Sequence, residues 1–223
     1  MAFSTAAVAL WTILSSSAGM PSGRSPPPFG FGIITRRTGL GRYVFKTISA
    51  GHAFGDDEQV WVALKRGGMV VLLRHTHVDM REGIGHLAPG NCAEEVNLSS
   101  RGVEQAKRIG EAFRAHGIAV GEVRTSPYCR CIDTATLAFG RATPVPYLMP
   151  PGVLSESRAK LNQERVLQDI LDHRSSSNMV MITHDLNISN IVLEPSIAMG
   201  DFFVLQPNGT DFDVIGKIRM GDK

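Results

Sequence analysis

Two stretches of the chain are apolar without a break. Met69-Val70-Val71-Leu72-Leu73 follows the pair Gly67-Gly68, and Met179-Val180-Met181-Ile182-Thr183 follows Ser175-Ser176-Ser177-Asn178. Short continuous runs bounded by turn residues predict strands buried on both faces, as in the interior of a mostly parallel sheet. Between them the period changes. Val103, Ala106, Ile109 and Phe113 recur at spacings of three and four, which gives a helix one apolar face. Ser99 or Ser100 can cap its start, and Gly117 marks its end.

The remaining pattern alternates in the same way. Val60 to Leu64 predicts a short helix leading into Gly67-Gly68. A strand is expected over 122–125, a helix over 132–139 ending at Gly140, and a short strand over 145–148. Ser155 opens a further helix with Val166, Leu167, Ile170 and Leu171 as its buried stripe, and a short helix covers 188–193. Residues 202–205 and 212–218 predict an antiparallel pair, with Asn208-Gly209 as the hairpin signal. Strands alternating with helices make this an α/β chain. Residues 76–96 form a long loop over the first strand end, and loops of that length are often functional.

Charge divides the chain. Residues 1–55 carry Arg24, Arg36, Arg37, Arg42 and Lys46 and no acid, leaving 18 basic against 21 acidic residues over 56–223. The folded part is thus mildly acidic, which argues against a nucleic-acid partner, since such proteins carry basic patches. No apolar run is long enough for a membrane span. Residues 1–55 read as an N-terminal extension, and 56–223 as the folded domain. Within the extension, Ala6 to Leu14 followed by Ser15-Ser16-Ser17-Ala18-Gly19 resembles a secretory segment without its basic start. Scattered arginine and serine also fit a transit peptide, and a start codon placed too far upstream is a third reading. If residues 1–19 act as a signal the protein is exported to a periplasm or secreted; otherwise it is cytoplasmic. Pro26-Pro27-Pro28 and Gly30, Gly32, Gly39 and Gly41 predict a flexible connector.

The chemistry sits where the buried strands end. The first closes on Arg74-His75 and the second on His184-Asp185, while Arg130 follows a third strand end. Open α/β sheets bind ligands in the crevice outside the carboxyl ends of their strands. Two guanidiniums and two imidazoles there suit a phosphate dianion, with one imidazole free to attack phosphorus.

These residues resemble the histidine phosphatase superfamily, which includes the phosphoglycerate mutases, in its small bacterial-type branch. Leu73-Arg74-His75-Thr76 is similar to its Arg-His-Gly signature. Asn97-Leu98-Ser99 with Gly102, Gln105 and Ala106 is similar to its second segment. Ser126-Pro127-Tyr128-Cys129-Arg130 with Thr134-Ala135 is similar to its third, and Ile182-Thr183-His184 to its second-histidine motif. Order and spacing agree over about residues 68–218. The resemblance implies a three-layer α/β/α sandwich with a mostly parallel central sheet, and hydrolysis of small phosphomonoesters with no metal and no cofactor. It implies His75 as the nucleophile that becomes phosphohistidine, Arg74 and Arg130 as phosphate ligands, and His184 as the residue completing the pocket. Thr76 stands close to the substrate where the family has Gly or Ala, and is counted as a substrate-binding candidate. Val96 stands where related small bacterial members often carry Arg, and nothing in 1–55 matches. No catalytic group is lost, so an active enzyme is expected. The proton donor has three candidates. Glu156, in Leu154-Ser155-Glu156, fits the mutase-like branch and is preferred; Asp185 fits the acid-phosphatase branch; Asp79 is the third.

Two other functions compete. A metal-dependent hydrolase would use His75, His77, His184 and Asp185, since imidazole and carboxylate suit zinc, but Arg74 would repel the cation. An inactive phospho-ligand binding module is the other, and the intact Arg74, His75, Arg130 and His184 weigh against it. His86, in the long loop, reads as a surface residue, as does His77 outside the metal reading. Cys129-x-Cys131 is not metal-finger spacing. Cys92 and Cys129 lie in two loops that converge on one pocket, so a disulfide is expected if the protein is exported; ordinary buried thiols are the other reading. Substrate identity would be set by loops 76–96 and 141–160. Oligomeric state is open.

Overall fold

A computed structural model describes residues 57–79 and 89–221, together with the backbone of 33–37 and 43–47. Contacts divide the chain into two compact units, 1–50 and 51–223. In the first, β1 (Ile33–Arg37) and β2 (Tyr43–Thr47) pair antiparallel. This hairpin was not expected from the sequence, where the surrounding glycines and prolines obscure two short runs rich in β-branched and aromatic residues. The signal-like segment over residues 1–19 lies outside the described residues, as does His86.

The second unit is built on a six-stranded sheet. Its elements in chain order are α1 (Asp57–Arg66), β3 (Val70–Arg74), α2 (Ser100–Ala115), β4 (Val120–Thr125), α3 (Cys129–Phe139), β5 (Thr143–Pro144), α4 (Glu156–Asp172), β6 (Asn178–Thr183), α5 (Asp185–Val192), β7 (Phe202–Pro207) and β8 (Phe212–Ile218). The strand order is β5-β4-β6-β3-β7-β8. The first four are mutually parallel, and β7 and β8 close the other edge antiparallel.

Strand alternation divides the core into two layers. Val71 and Leu73 of β3, with Val180 and Ile182 of β6, face α1, α2 and α3. Val70 and Leu72, with Met179 and Met181, face the opposite side against α4 and α5. A strand whose every residue has a helix layer to meet has no polar position to offer, and this is why both runs are unbroken. The result is the three-layer α/β/α sandwich with a mostly parallel core.

Local signals set the ends of the helices. Ser99 caps α2 by accepting from the Gly102 amide, and Ser155 caps α4 by accepting from the Arg158 amide. Gly67 follows α1 at φ +80°, and a Cβ there would meet the Ser176 carbonyl oxygen at 2.0 Å. Only glycine fits such a position. The buried Asn178 side chain stitches the sheet base together: its oxygen accepts from the Met69 amide, and its nitrogen donates to the Leu64 and Ala119 carbonyls. The expected strand over 145–148 is instead the two-residue β5 followed by a 3₁₀ turn at Pro146–Leu148. Pro144 and Pro146 remove the amides that a longer ladder needs.

Candidate active site

β3 and β6 are adjacent and in register, with Arg74 opposite Thr183. Their next residues, His75 and His184, therefore emerge side by side, and the His75 amide still bonds the Thr183 carbonyl at 3.0 Å. The imidazole centroids are 5.4 Å apart, with the rings inclined at 67°. Arg130 reaches the same place from the first turn of α3, its guanidinium 3.4 Å from His184 Nδ1. His75, His184 and Arg130 are all buried. Four of the residues singled out in the sequence thus meet at the carboxyl ends of the parallel strands.

The two histidines are held differently. His75 Nδ1 lies 2.9 Å from the Thr76 carbonyl oxygen. A carbonyl can only accept, so Nδ1 carries the proton and Nε2 keeps its lone pair. His184 has both nitrogens engaged, Nδ1 by Arg130 and Nε2 by the Ser126 hydroxyl at 2.9 Å. His75 is pulled down to about 3, chiefly by burial, with Arg130 and Arg74 pushing the same way against the raising effect of the Thr76 carbonyl. His184 is pulled well below its ordinary value, again chiefly by burial, then by His75, Arg130 and Arg74. Both rings are therefore neutral at physiological pH.

Arg74 is anchored by the segment that leads into β7. Its guanidinium donates to the Ile197 carbonyl, and its backbone amide donates to the Asp201 carbonyl. Its terminal nitrogen pairs with Asp185 at 3.6 Å. Its Nε is buried and has no hydrogen-bond partner among the described residues. An orphaned cationic donor of this kind is costly unless an anion visits it.

The remaining candidates are distributed as follows. Asp185 opens α5 and stands half-exposed on Arg74. Glu156 opens α4, exposed, with no hydrogen bond or ion pair to the pocket among the described residues. Asp79 follows the β3 end by a short extended stretch, its amide bonded to the Asn97 carbonyl. Thr76 is fully buried, and its hydroxyl lies against Thr134. His77 is turned away, its Nδ1 on the Ser99 hydroxyl at 2.8 Å. Among the described residues, no three His, Cys, Asp or Glu side chains converge as a metal site would require.

Three contributors were not anticipated. Ser126 holds His184, and its place in Ser126-Pro127 was the only signal for it. Thr134 receives Thr76. Glu95, buried in the loop before α2, accepts from the Cys129 amide at 2.7 Å and from the Gly90 amide at 3.1 Å. It thereby caps α3, whose own N-cap residue Tyr128 offers no side-chain bond. Nothing in the sequence distinguishes Glu95 from a solvated loop acid. Beside it Cys92 and Cys129 form a disulfide, with Cα atoms 5.6 Å apart. Loop 89–98 is so fastened to the helix end that presents Arg130. Cys131 is free and buried, and burial pushes its thiol up to about 12, so it stays protonated.

Residues 70–152 match the Histidine phosphatase superfamily (branch 1). The resemblance read in the sequence is borne out. The fold agrees with solved phosphatase structures. A mutant phosphoserine phosphatase from Entamoeba histolytica in complex with phosphoserine is 12% identical with a TM-score of 0.53, covering 69% of this chain and 98% of its own. The alpha-ribazole phosphatase from Shigella flexneri is 14% identical with a TM-score of 0.52, covering 66% of this chain and 94% of its own. No curated protein matches the chain in sequence. No helix among the described residues is long and apolar enough to cross a membrane.

Proposed function

We propose that the protein hydrolyses small phosphomonoesters through a phosphohistidine on His75, without a metal. The observation that carries this reading is the His75 ring itself. Its Nδ1 proton is spent on the Thr76 carbonyl, and its Nε2 is neutral and makes no hydrogen bond among the described residues. A neutral, aimed imidazole among guanidiniums is arranged to attack a bound phosphate rather than to bind it.

In the proposed sequence, Arg74 and Arg130 hold the phosphoryl oxygens, and His184 faces the same group. Nε2 of His75 forms a bond to phosphorus as the ester P–O bond breaks. The departing oxygen takes a proton from a carboxylic acid. Water, giving its proton back to that carboxylate, then splits the N–P bond and releases phosphate. Positioning and charge stabilisation do most of the work in such transfers.

Asp185 is the better supported donor. Its contact with Arg74 brings it to the pocket rim, whereas Glu156 has no such tie. A phosphate dianion docking on Arg74 would compete with this ion pair and leave the carboxyl beside the bound ester. The test is a rapid quench with 4-nitrophenyl phosphate. Acid-labile phosphate should appear on His75 within one turnover, and turnover should survive a chelator. Full activity in His75→Ala would overturn the proposal.

A further inference from the structure

The chain departs from its family resemblance at Thr76, where a glycine or alanine is usual, and the structure gives that side chain a definite setting. Thr76 and Thr134 are both fully buried. The Thr76 amide donates to Thr134 Oγ1 at 3.2 Å. The two hydroxyl oxygens are also 3.2 Å apart. Thr134 Oγ1 in turn lies 2.7 Å from the Arg130 carbonyl.

Proton accounting fixes the direction of each bond. A carbonyl cannot donate, so the single Thr134 hydroxyl proton goes to Arg130. Thr134 Oγ1 then accepts from the Thr76 amide, and its other lone pair accepts from the Thr76 hydroxyl. Both buried hydroxyls and the Thr76 amide are hydrogen-bonded within the cluster, the condition under which a polar cluster stiffens its surroundings. The Thr76 carbonyl is the group that receives His75 Nδ1–H. The chain of bonds therefore runs from the nucleophile, through residue 76 and one hydroxyl, to the backbone of the phosphate-binding Arg130.

We propose that Thr76 and Thr134 form a positioning latch, which fixes the aim of His75 relative to Arg130, and that the Thr76 side chain does not contact substrate. This rests on the reading of His75 as nucleophile. A glycine at 76 would leave a single bond, from amide to hydroxyl. The threonine adds a second between the same two residues and removes their freedom to pivot. Misalignment of reacting groups by a fraction of an ångström is enough to slow attack.

The test uses the full chain, 4-nitrophenyl phosphate, and inorganic phosphate as competing ligand. Thr76→Val keeps the shape and loses the hydroxyl. It should slow phosphohistidine formation by about 5- to 10-fold, the effect of one hydrogen bond, while the inhibition constant of inorganic phosphate stays within about twofold. Thr76→Ser should restore the rate. Thr134→Val, which frees both His75 and Arg130, should slow formation further and also weaken phosphate, and Thr134→Ser should restore both. If Thr134→Val does not fold, Thr76→Val decides alone. A Thr76→Val protein that only melts earlier, with its formation rate intact, overturns the latch. Equal losses in phosphate affinity and rate would make Thr76 a substrate contact and overturn it too. Absence of labelled His75 in the unaltered protein removes the nucleophile, and the latch falls with it; labelled His75 with an unimpaired Thr76→Val removes the latch alone.

Discussion

The ends of β3 and β6 are near-copies in sequence and opposites in chemistry. Each is a fully buried strand that closes on a histidine, and the two rings stand 5.4 Å apart under the same guanidiniums. At the β3 end, one nitrogen is tied to a carbonyl and the other has no hydrogen-bond partner among the described residues. At the β6 end, Arg130 and Ser126 occupy both nitrogens. Burial keeps both rings neutral, so charge does not tell them apart. In the proposed function, what separates the nucleophile from its phosphate-facing partner is which atoms their neighbours among the described residues leave unoccupied.

The comparison breaks most decisively by exchange of roles. His75→Ala is expected to cost at least about 10³-fold in kcat with the fold retained, because the attacking atom is gone. His184→Ala should cost less, about 10²-fold, because Arg130 loses the ring nitrogen that orients its guanidinium, and should still label His75. Label on residue 184 in a rapid quench would reverse the assignment.

The residue beyond each histidine provides the next contrast. Asp185→Asn should slow alkyl phosphates about 10²-fold more than 4-nitrophenyl phosphate, which leaves without a proton. If Glu156→Gln shows that selectivity and Asp185→Asn does not, the donor sits on α4 and not at the β6 end.

Stability against pH tests the shared neutrality. A histidine with a depressed folded value binds its proton more readily when unfolded, so folding stability is lost as pH falls from about 6.5 towards 3. For His75, at about 3 in the folded protein, the loss between pH 7 and pH 5 is about 2 kcal/mol. Chemical denaturation at the two pH values should show a smaller loss in His75→Ala than in the unaltered protein. An identical loss in both would mean that His75 is protonated in the native state. The smallest effect is expected for Ser126→Ala, which frees His184 Nε2: inorganic phosphate should bind about 3- to 10-fold more weakly, with His75 labelling unchanged. Slower labelling at constant affinity would put Ser126 on the nucleophile's side.

The sequence made the two strands legible because each is buried on both faces, which leaves no ambiguity of period. The histidines were legible because nothing apolar would choose them at those ends. The pairing of Arg74, His75, Arg130 and His184 followed from strand ends sharing one crevice. Residues 145–148 were misread because apolar composition outweighed the flanking and internal prolines, and α5 was begun three residues late because His184-Asp185 looks polar rather than helical. Thr76 reads as a substrate neighbour from the family resemblance; its burial on Thr134 was not legible, because it depends on a helix 58 residues away. Glu95 was missed for the same reason: its partner is an amide brought to it by the fold. Of the loop expected to set specificity, residues 80–88 lie outside the described residues.

Asn178 bonds Met69 across 109 residues of chain. At a synthesis rate of about 5 to 20 residues per second, the β3 segment waits roughly 5 to 20 s for that partner to be made. Its other neighbour, β7, comes later still. Throughout that interval the most apolar strand of the protein leaves the ribosome with no sheet to join. A strand in that condition is what chaperones recognise. His75 at its tip is therefore set in place only after most of the chain, including β6 and the start of β7, has been translated.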